Sequence, residues 1–181
     1  KKAPMYYRQQ EEHKWIRDFK LQEITDKKVG ILGTGSIGMQ IAKILKAFDA
    51  VTIGFNRSGN SAEYFDKIYK IDAFEGMTGE LDVIIVALPL NSGSEYIINR
   101  NILEKMHSKS VLINIGRGMS VDTEALADVL EKGAIMGAAL DVFEQEPLPE
   151  DSRLWGLENL LISPHICSGS NYMNKRVYDL V

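Results

Sequence analysis

The residue pattern predicts an α/β fold, a doubly wound parallel sheet forming a single domain. Two observations carry this reading. Apolar runs rich in β-branched residues (VGIL, VTIGF, VIIVAL, VLINI) alternate along the chain with stretches of helical spacing. That is the pattern of parallel strands buried on both faces by crossover helices. The first of these runs also leads straight into the glycine run GTGSIG, just ahead of a helix. In that setting a glycine run marks a phosphate-binding turn better than it does alone.

The elements follow in order. Residues from Pro4 to about Phe19 read as a helix with a very polar middle, RQQEEHK, and a short apolar stripe at Trp15, Ile16 and Phe19. Such a helix is either a solvated one with a small docking face, or a connector to another domain or a second subunit. Lys28–Leu32 is a strand, Ser36–Phe48 a helix and Val51–Phe55 a strand. A weak helix near Ser61–Asp66 leads to a short strand at Lys67–Ile71. Asp82–Leu88 is a buried strand, the segment NRNILEKM around Leu103 a helix, and Ser110–Ile115 a strand. Helix Thr123–Lys132, strand Ile135–Leu140 and strand Leu160–Ser163 complete the set. Right-handed crossovers make the doubly wound arrangement the economical topology.

The bulk composition sets limits. A chain of 181 residues supports one domain with a sizeable core but not two comfortable ones. Its 45% hydrophobic and 25% charged residues are ordinary globular values. A net charge of −4 gives no reason to expect a nucleic acid or an anionic membrane as partner. The apolar run Val83–Leu88 stops at Pro89, too short to span a bilayer. The single cysteine, Cys167, rules out an internal disulfide framework and fits a reducing, cytoplasmic setting. The chain opens on KKAPMYY and stops within a helical pattern, NYMNKRVYDLV, as expected of one domain from a longer two-domain protein. The expected division is a connecting segment at 1–24, a dinucleotide-binding domain at 25–170, and the start of a helix toward a substrate domain at 171–181.

Candidate functional residues cluster at strand ends. In the glycine run, Gly33 permits a tight turn, Gly35 lets the backbone approach a pyrophosphate, and Gly38 lets helix and strand pack closely. Ser36 and Ile37 open the helix whose N-terminal N–H groups would face that pyrophosphate. About twenty residues past Gly35, where a carboxylate would select NAD, stand Asn56, Arg57 and Ser58. Hydrogen-bonding groups and a cation there favour NADP, with NAD the alternative. Leu88 and Pro89, in the loop ALPLNSG, would form a wall under the nicotinamide ribose, and Ile115 and Gly116 lie at the next strand end. Asp141 follows the apolar strand IMGAAL and could meet the nicotinamide carboxamide.

Arg117, Glu146 and His165 each fall just past a predicted strand end, where an open parallel sheet places its ligand crevice. An imidazole can move a proton, a carboxylate beside it favours the imidazolium, and a guanidinium can orient a carbonyl or carboxylate. Taken singly, each also reads as an ordinary capping or loop residue. Cys167 has no base specified for it and reads as a small thiol rather than a nucleophile. No His, Cys or Asp cluster has metal-ligand spacing.

The motifs VGILGTGSIG, LPL, INIGRGMSVDTEAL, GAALDVFEQEPLP and SPHI, in this order from about Lys28 to Ser168, resemble the nucleotide-binding domain of the D-isomer-specific 2-hydroxyacid dehydrogenases. The N-terminal helix resembles the connecting segment of the glyoxylate/hydroxypyruvate-reductase-like branch. The resemblance implies a Rossmann fold, NADP(H) or NAD(H), a small 2-oxo or 2-hydroxy acid substrate, and a homodimer. It implies catalytic roles for Arg117, Glu146 and His165, and a nicotinamide contact for Asp141. It also implies a second domain contributing substrate contacts. Three positions depart from the family pattern: Asn56 stands where Asp is usual, so a preference for NAD does not carry over, and Asp49 and Tyr96 stand where glycine is common. Alternatives are an NAD-dependent phosphoglycerate-dehydrogenase-like enzyme and a non-catalytic dinucleotide-sensing scaffold.

Overall fold

The computed structural model describes residues 3–17 and 21–171. In chain order the elements are α1 (Ala3–Glu11), β1 (Lys28–Leu32), α2 (Ser36–Lys46), β2 (Val51–Asn56), β3 (Lys67–Lys70), α3 (Phe74–Met77), β4 (Val83–Val86), α4 (Arg100–Lys105), β5 (Val111–Asn114), α5 (Thr123–Glu131), β6 (Gly137–Leu140) and β7 (Leu160–Ile162). Among the described residues the strands form one seven-stranded sheet in the order β3-β2-β1-β4-β5-β6-β7. Every neighbouring pair is parallel. The chain winds outward from β1 to β3, returns to the centre, and winds the other way from β4 to β7. The switch point therefore lies between the carboxyl ends of β1 and β4, where a Rossmann sheet opens its crevice.

Alternation within the central strands feeds two cores. Val29, Ile31 and Ile85 pack with Ala42 of α2 on one face. Leu32, Ile84 and Val86 pack with Leu103 of α4 and Leu126 of α5 on the other. Burying both faces explains why these strands read as continuous apolar runs. Side-chain caps fix two helix starts: Asn99 accepts from Ile102 N–H for α4, and Asp122 from Ala125 N–H for α5.

Two expectations change. The N-terminal helix ends at Glu11 instead of continuing toward Phe19, and the chain reverses through His13 at φ 53°. The helix's last turn, RQQE, is polar and offers no apolar face to extend it, and Trp15 and Ile16 lie exposed beyond its end. The Ser61–Asp66 segment is not helical. Asp66 draws it along β2 instead, its carboxylate accepting from Thr52 N–H and Oγ–H while its own N–H bonds Thr52 O. Phe19 and the expected C-terminal helix lie outside the described residues. No helix among those described is long and apolar enough to cross a membrane.

Candidate active site

The loops that follow β1, β4, β5, β6 and β7 converge at the carboxyl edge of the sheet. After β1, Gly33 turns at φ 101° and donates its N–H to Phe55 O at 2.9 Å. A Cβ on Gly38 would lie 2.0 Å from Gly33 O, so only glycine allows α2 to start this close to β1. Above Gly35 the space is open, since a Cβ there would meet nothing within 4 Å. Gly35 is also the N-cap of α2 and offers no side-chain oxygen, so the first-turn N–H groups of Ser36 and Ile37 receive no cap from it. Open space over an uncapped helix start fits a dinucleotide pyrophosphate.

The β2 end is organised by Asn56. Its amide donates to Thr34 Oγ1 at 2.9 Å and Asn60 O at 3.1 Å, while its Oδ1 accepts from Gly59 N–H at 2.6 Å. Asn56 thus ties the 56–60 turn to the glycine loop, and its polar atoms are engaged within that turn. Arg57 and Ser58 are exposed on it. The chemistry presented at this edge is a guanidinium and a hydroxyl, with no carboxylate at positions 56–58.

The β4 and β5 loops meet through glycine. A Cβ on Gly116 would sit 2.7 Å from Leu88 O, which brings Leu88 and Pro89 against Ile115 and Gly116. Asn114, fully buried at the end of β5, accepts from Gly116 N–H and donates to Arg117 O at 2.9 Å. It shapes the turn that presents Arg117. Sequence reasoning missed this role, and the signal available was a polar residue inside the apolar run VLINI.

Arg117, Glu146 and His165 line one depression of about 260 Å³, together with Leu90, Met119 and Glu144 among others. His165 Nδ1 lies 2.7 Å from Glu146 Oε2, and Glu146 Oε1 accepts from Phe143 N–H at 2.9 Å. The hydrogen bond from His165, followed by that from Phe143 N–H, outweighs burial and holds the Glu146 carboxyl below its ordinary range. A carboxylate on Nδ1 places a proton there and leaves Nε2 for exchange with a ligand. Arg117 Nη1 donates to Gly116 O at 2.7 Å.

Glu144 was also missed. Its Oε1 accepts from Thr123 N–H and Oγ1–H, and its Oε2 from Tyr96 O–H at 3.1 Å. These partners lie 21 and 48 residues away, and no local pattern announces them. Asp141 is 4% exposed and turns its carboxylate toward Ser163, Ile166 and Cys167. Burial pushes its carboxyl up, but those hydrogen bonds carry it down to about 2. Among the described residues no cluster of His, Cys, Asp and Glu is disposed to hold a metal ion. A larger depression of about 690 Å³, beside α1 at Tyr6, Trp15 and Ile16, includes no strand-end residue. The strand-end depression is the one with acid–base groups in mutual contact, so it is the candidate site.

Comparisons with known proteins point to one family. The family model for the D-isomer specific 2-hydroxyacid dehydrogenase NAD binding domain matches residues 1–167. A hydroxyphenylpyruvate reductase of Plectranthus scutellarioides is 40% identical over 169 residues, covering 91% of this chain and 51% of the relative. An NADPH-dependent glyoxylate/hydroxypyruvate reductase of Sinorhizobium meliloti, solved with NADP and sulfate, superposes with a TM-score of 0.85 at 31% identity, over 98% of this chain and 57% of that one. A phosphoglycerate dehydrogenase of Lactobacillus plantarum gives 0.87 at 31% identity, over 96% and 56%. The chain spans about half the length of the curated relatives it matches.

Proposed function

Because this chain belongs to the D-isomer specific 2-hydroxyacid dehydrogenase family, as its NAD binding domain, we propose that the full-length protein transfers a hydride between NADP(H) and a small 2-oxo acid or D-2-hydroxy acid of the glyoxylate or hydroxypyruvate kind. The observation that carries this reading is the 2.7 Å contact between His165 Nδ1 and Glu146 in a depression shared with Arg117. In the reducing direction NADPH, held at the glycine loop, would supply the hydride needed at substrate C2. His165 delivers the proton from Nε2 to the carbonyl oxygen, completing the hydroxyl group. Glu146 keeps Nδ1 protonated and stabilises the imidazolium before transfer. Arg117 holds the substrate carboxylate and the polarised oxygen.

For the cofactor, Gly33, Gly35 and Gly38 with the start of α2 would hold the pyrophosphate. Arg57 and Ser58 would hold a 2′-phosphate on a turn shaped by Asn56. Leu88, Pro89, Ile115 and Gly116 would flank the nicotinamide side. The NADP bound by the Sinorhizobium relative supports the choice of NADP. The division into a connecting segment at 1–24, a dinucleotide domain at 25–170 and a following helix belongs to the same proposal, as does a homodimer.

The Lactobacillus relative keeps a phosphoglycerate-dehydrogenase-like reading as the runner-up. Charge argues against it. Among the described residues Arg117 is the one permanent cation lining the depression, against the carboxylates of Glu144 and Glu146. A singly charged acid suits that balance, whereas a phosphorylated one would need cations from elsewhere. The test is NADPH oxidation by the full-length protein with glyoxylate, hydroxypyruvate and phosphohydroxypyruvate. His165→Asn should abolish turnover and leave NADPH affinity similar, and Arg57→Ala should weaken NADPH far more than NADH. Turnover that survives His165→Asn would sink the mechanism, and preference for the phosphorylated acid would select the runner-up.

A further inference from the structure

The residues between the end of β7 and Cys167 carry the proposed proton donor, yet they belong to no element. Past Ser163, whose N–H bonds Leu140 O, their backbone N–H groups converge on a single residue of the neighbouring strand end. The His165 N–H donates to Asp141 O at 2.8 Å and also reaches Ser163 O at 3.1 Å. The Ile166 N–H donates to Asp141 Oδ1 at 2.9 Å and the Cys167 N–H to Oδ2 at 3.0 Å. Ser163 Oγ–H adds a 2.6 Å bond to Oδ1. Pro164 has no N–H to give, so Asp141 receives every backbone donor from 164 to 167. The β6–β7 ladder ends just before this point, at the pair Leu140 and Ile162.

His165 sits at the centre of this arrangement with φ 51°, a left-handed conformation uncommon for a residue with a side chain. Asp141 is buried and all its acceptor atoms face the turn. We propose that Asp141 is the positioning residue of His165: its carboxylate and carbonyl hold the 163–167 turn in the conformation that sets the imidazole against Glu146. This deepens the proposed function and rests on it for its kinetic consequence. It gives Asp141 a task within the protein chain, where the family resemblance implies a contact with the nicotinamide.

Two variants of the full-length protein test it. Asp141→Asn keeps the size but turns an N–H₂ toward the Cys167 N–H, and Ser163→Ala removes one donor without touching the carboxylate. Misplacing the imidazole should lower kcat about a hundredfold in Asp141→Asn, with a smaller fall in Ser163→Ala. The solvent isotope effect on kcat should rise in both, because proton delivery becomes the slow step, while NADPH affinity holds. A loss of fold alone would lower the active fraction without raising that isotope effect.

Two readouts do not depend on turnover. Backbone exchange at Ile166 and Cys167 should quicken in Asp141→Asn. Mapped alkylation of Cys167 should quicken as well, since burial and then the hydrogen bond to Asp141 hold that thiol above its ordinary range. Unchanged exchange and alkylation in Asp141→Asn would overturn the proposal. So would intact kcat with weakened NADPH binding, which would assign the carboxylate to the cofactor. If the full-length protein reduces no 2-oxo acid, the functional reading fails, and exchange and alkylation still decide the role of Asp141.

Discussion

Asp49 and Tyr96 both occupy left-handed backbone, at φ 57° and 48°. At both positions the family resemblance implies glycine, and the structure gives the two side chains there a shared physical meaning. A side chain in this region costs roughly 1–2 kcal/mol, less for Asp than for most residues. Tyr96 is offset by its bond to Glu144 at the rim of the site, whereas Asp49 makes no side-chain hydrogen bond among the described residues. Asp49→Gly should therefore stabilise the protein by about 1 kcal/mol in urea unfolding, and Tyr96→Gly should gain less because it also releases Glu144. Equal gains would show that the Tyr96 phenol contributes nothing. The two substitutions could be noticed in the sequence, but the backbone angle behind them could not. A turn's handedness depends on contacts such as Asp26 N–H to Asp49 O, made across 23 residues.

At the scale of elements, the site depends on how closely the β5 turn approaches the β6 loop. A Cβ at Gly118 would fall 1.8 Å from Phe143 O, so the Arg117 turn and the loop carrying Glu146 meet backbone to backbone. Gly118→Ala must push them apart. It should cost about 1–3 kcal/mol or more in thermal or urea unfolding, and lower kcat more than it weakens NADPH binding, since the glycine loop after β1 is untouched. Most strands were legible because burial on both faces leaves an unbroken apolar run, as in Lys28–Leu32. α3 was not, because its four residues, FEGM, are too few to show a helical period. The segment 61–66 misled because its spacing permits a helix while Asp66 bonds to Thr52 on another element. Arg117, Glu146 and His165 could be read from motifs at strand ends. The bonds made by Asn114, Glu144 and Asp141 could not, because a residue's identity does not state where its hydrogen bonds go.

Across the whole molecule, the dinucleotide crevice lies at the central switch point and the acid–base groups lie toward the β7 edge. The same arrangement sets the response to acid. Asp141 falls from 3.8 to about 2 on folding, so its contribution is complete above the unfolded value and is lost as the pH drops from about 4 through 2. That contribution is about 2 kcal/mol, and Glu146, also lowered, acts in the same direction. The unfolding free energy should fall between pH 5 and 2, and the gap between the native protein and Asp141→Asn should close over that range. A gap that stays constant would mean the carboxylate's charge adds nothing to folding. Warming should expose a different asymmetry. Among the described residues β7 is a border strand of three residues, joined to the rest of the sheet along one side only, and such margins open before the middle does. A heated sample should therefore fall silent while its nucleotide is still in place. On cooling it should revive as quickly as a margin can close, without having to fold again from the beginning.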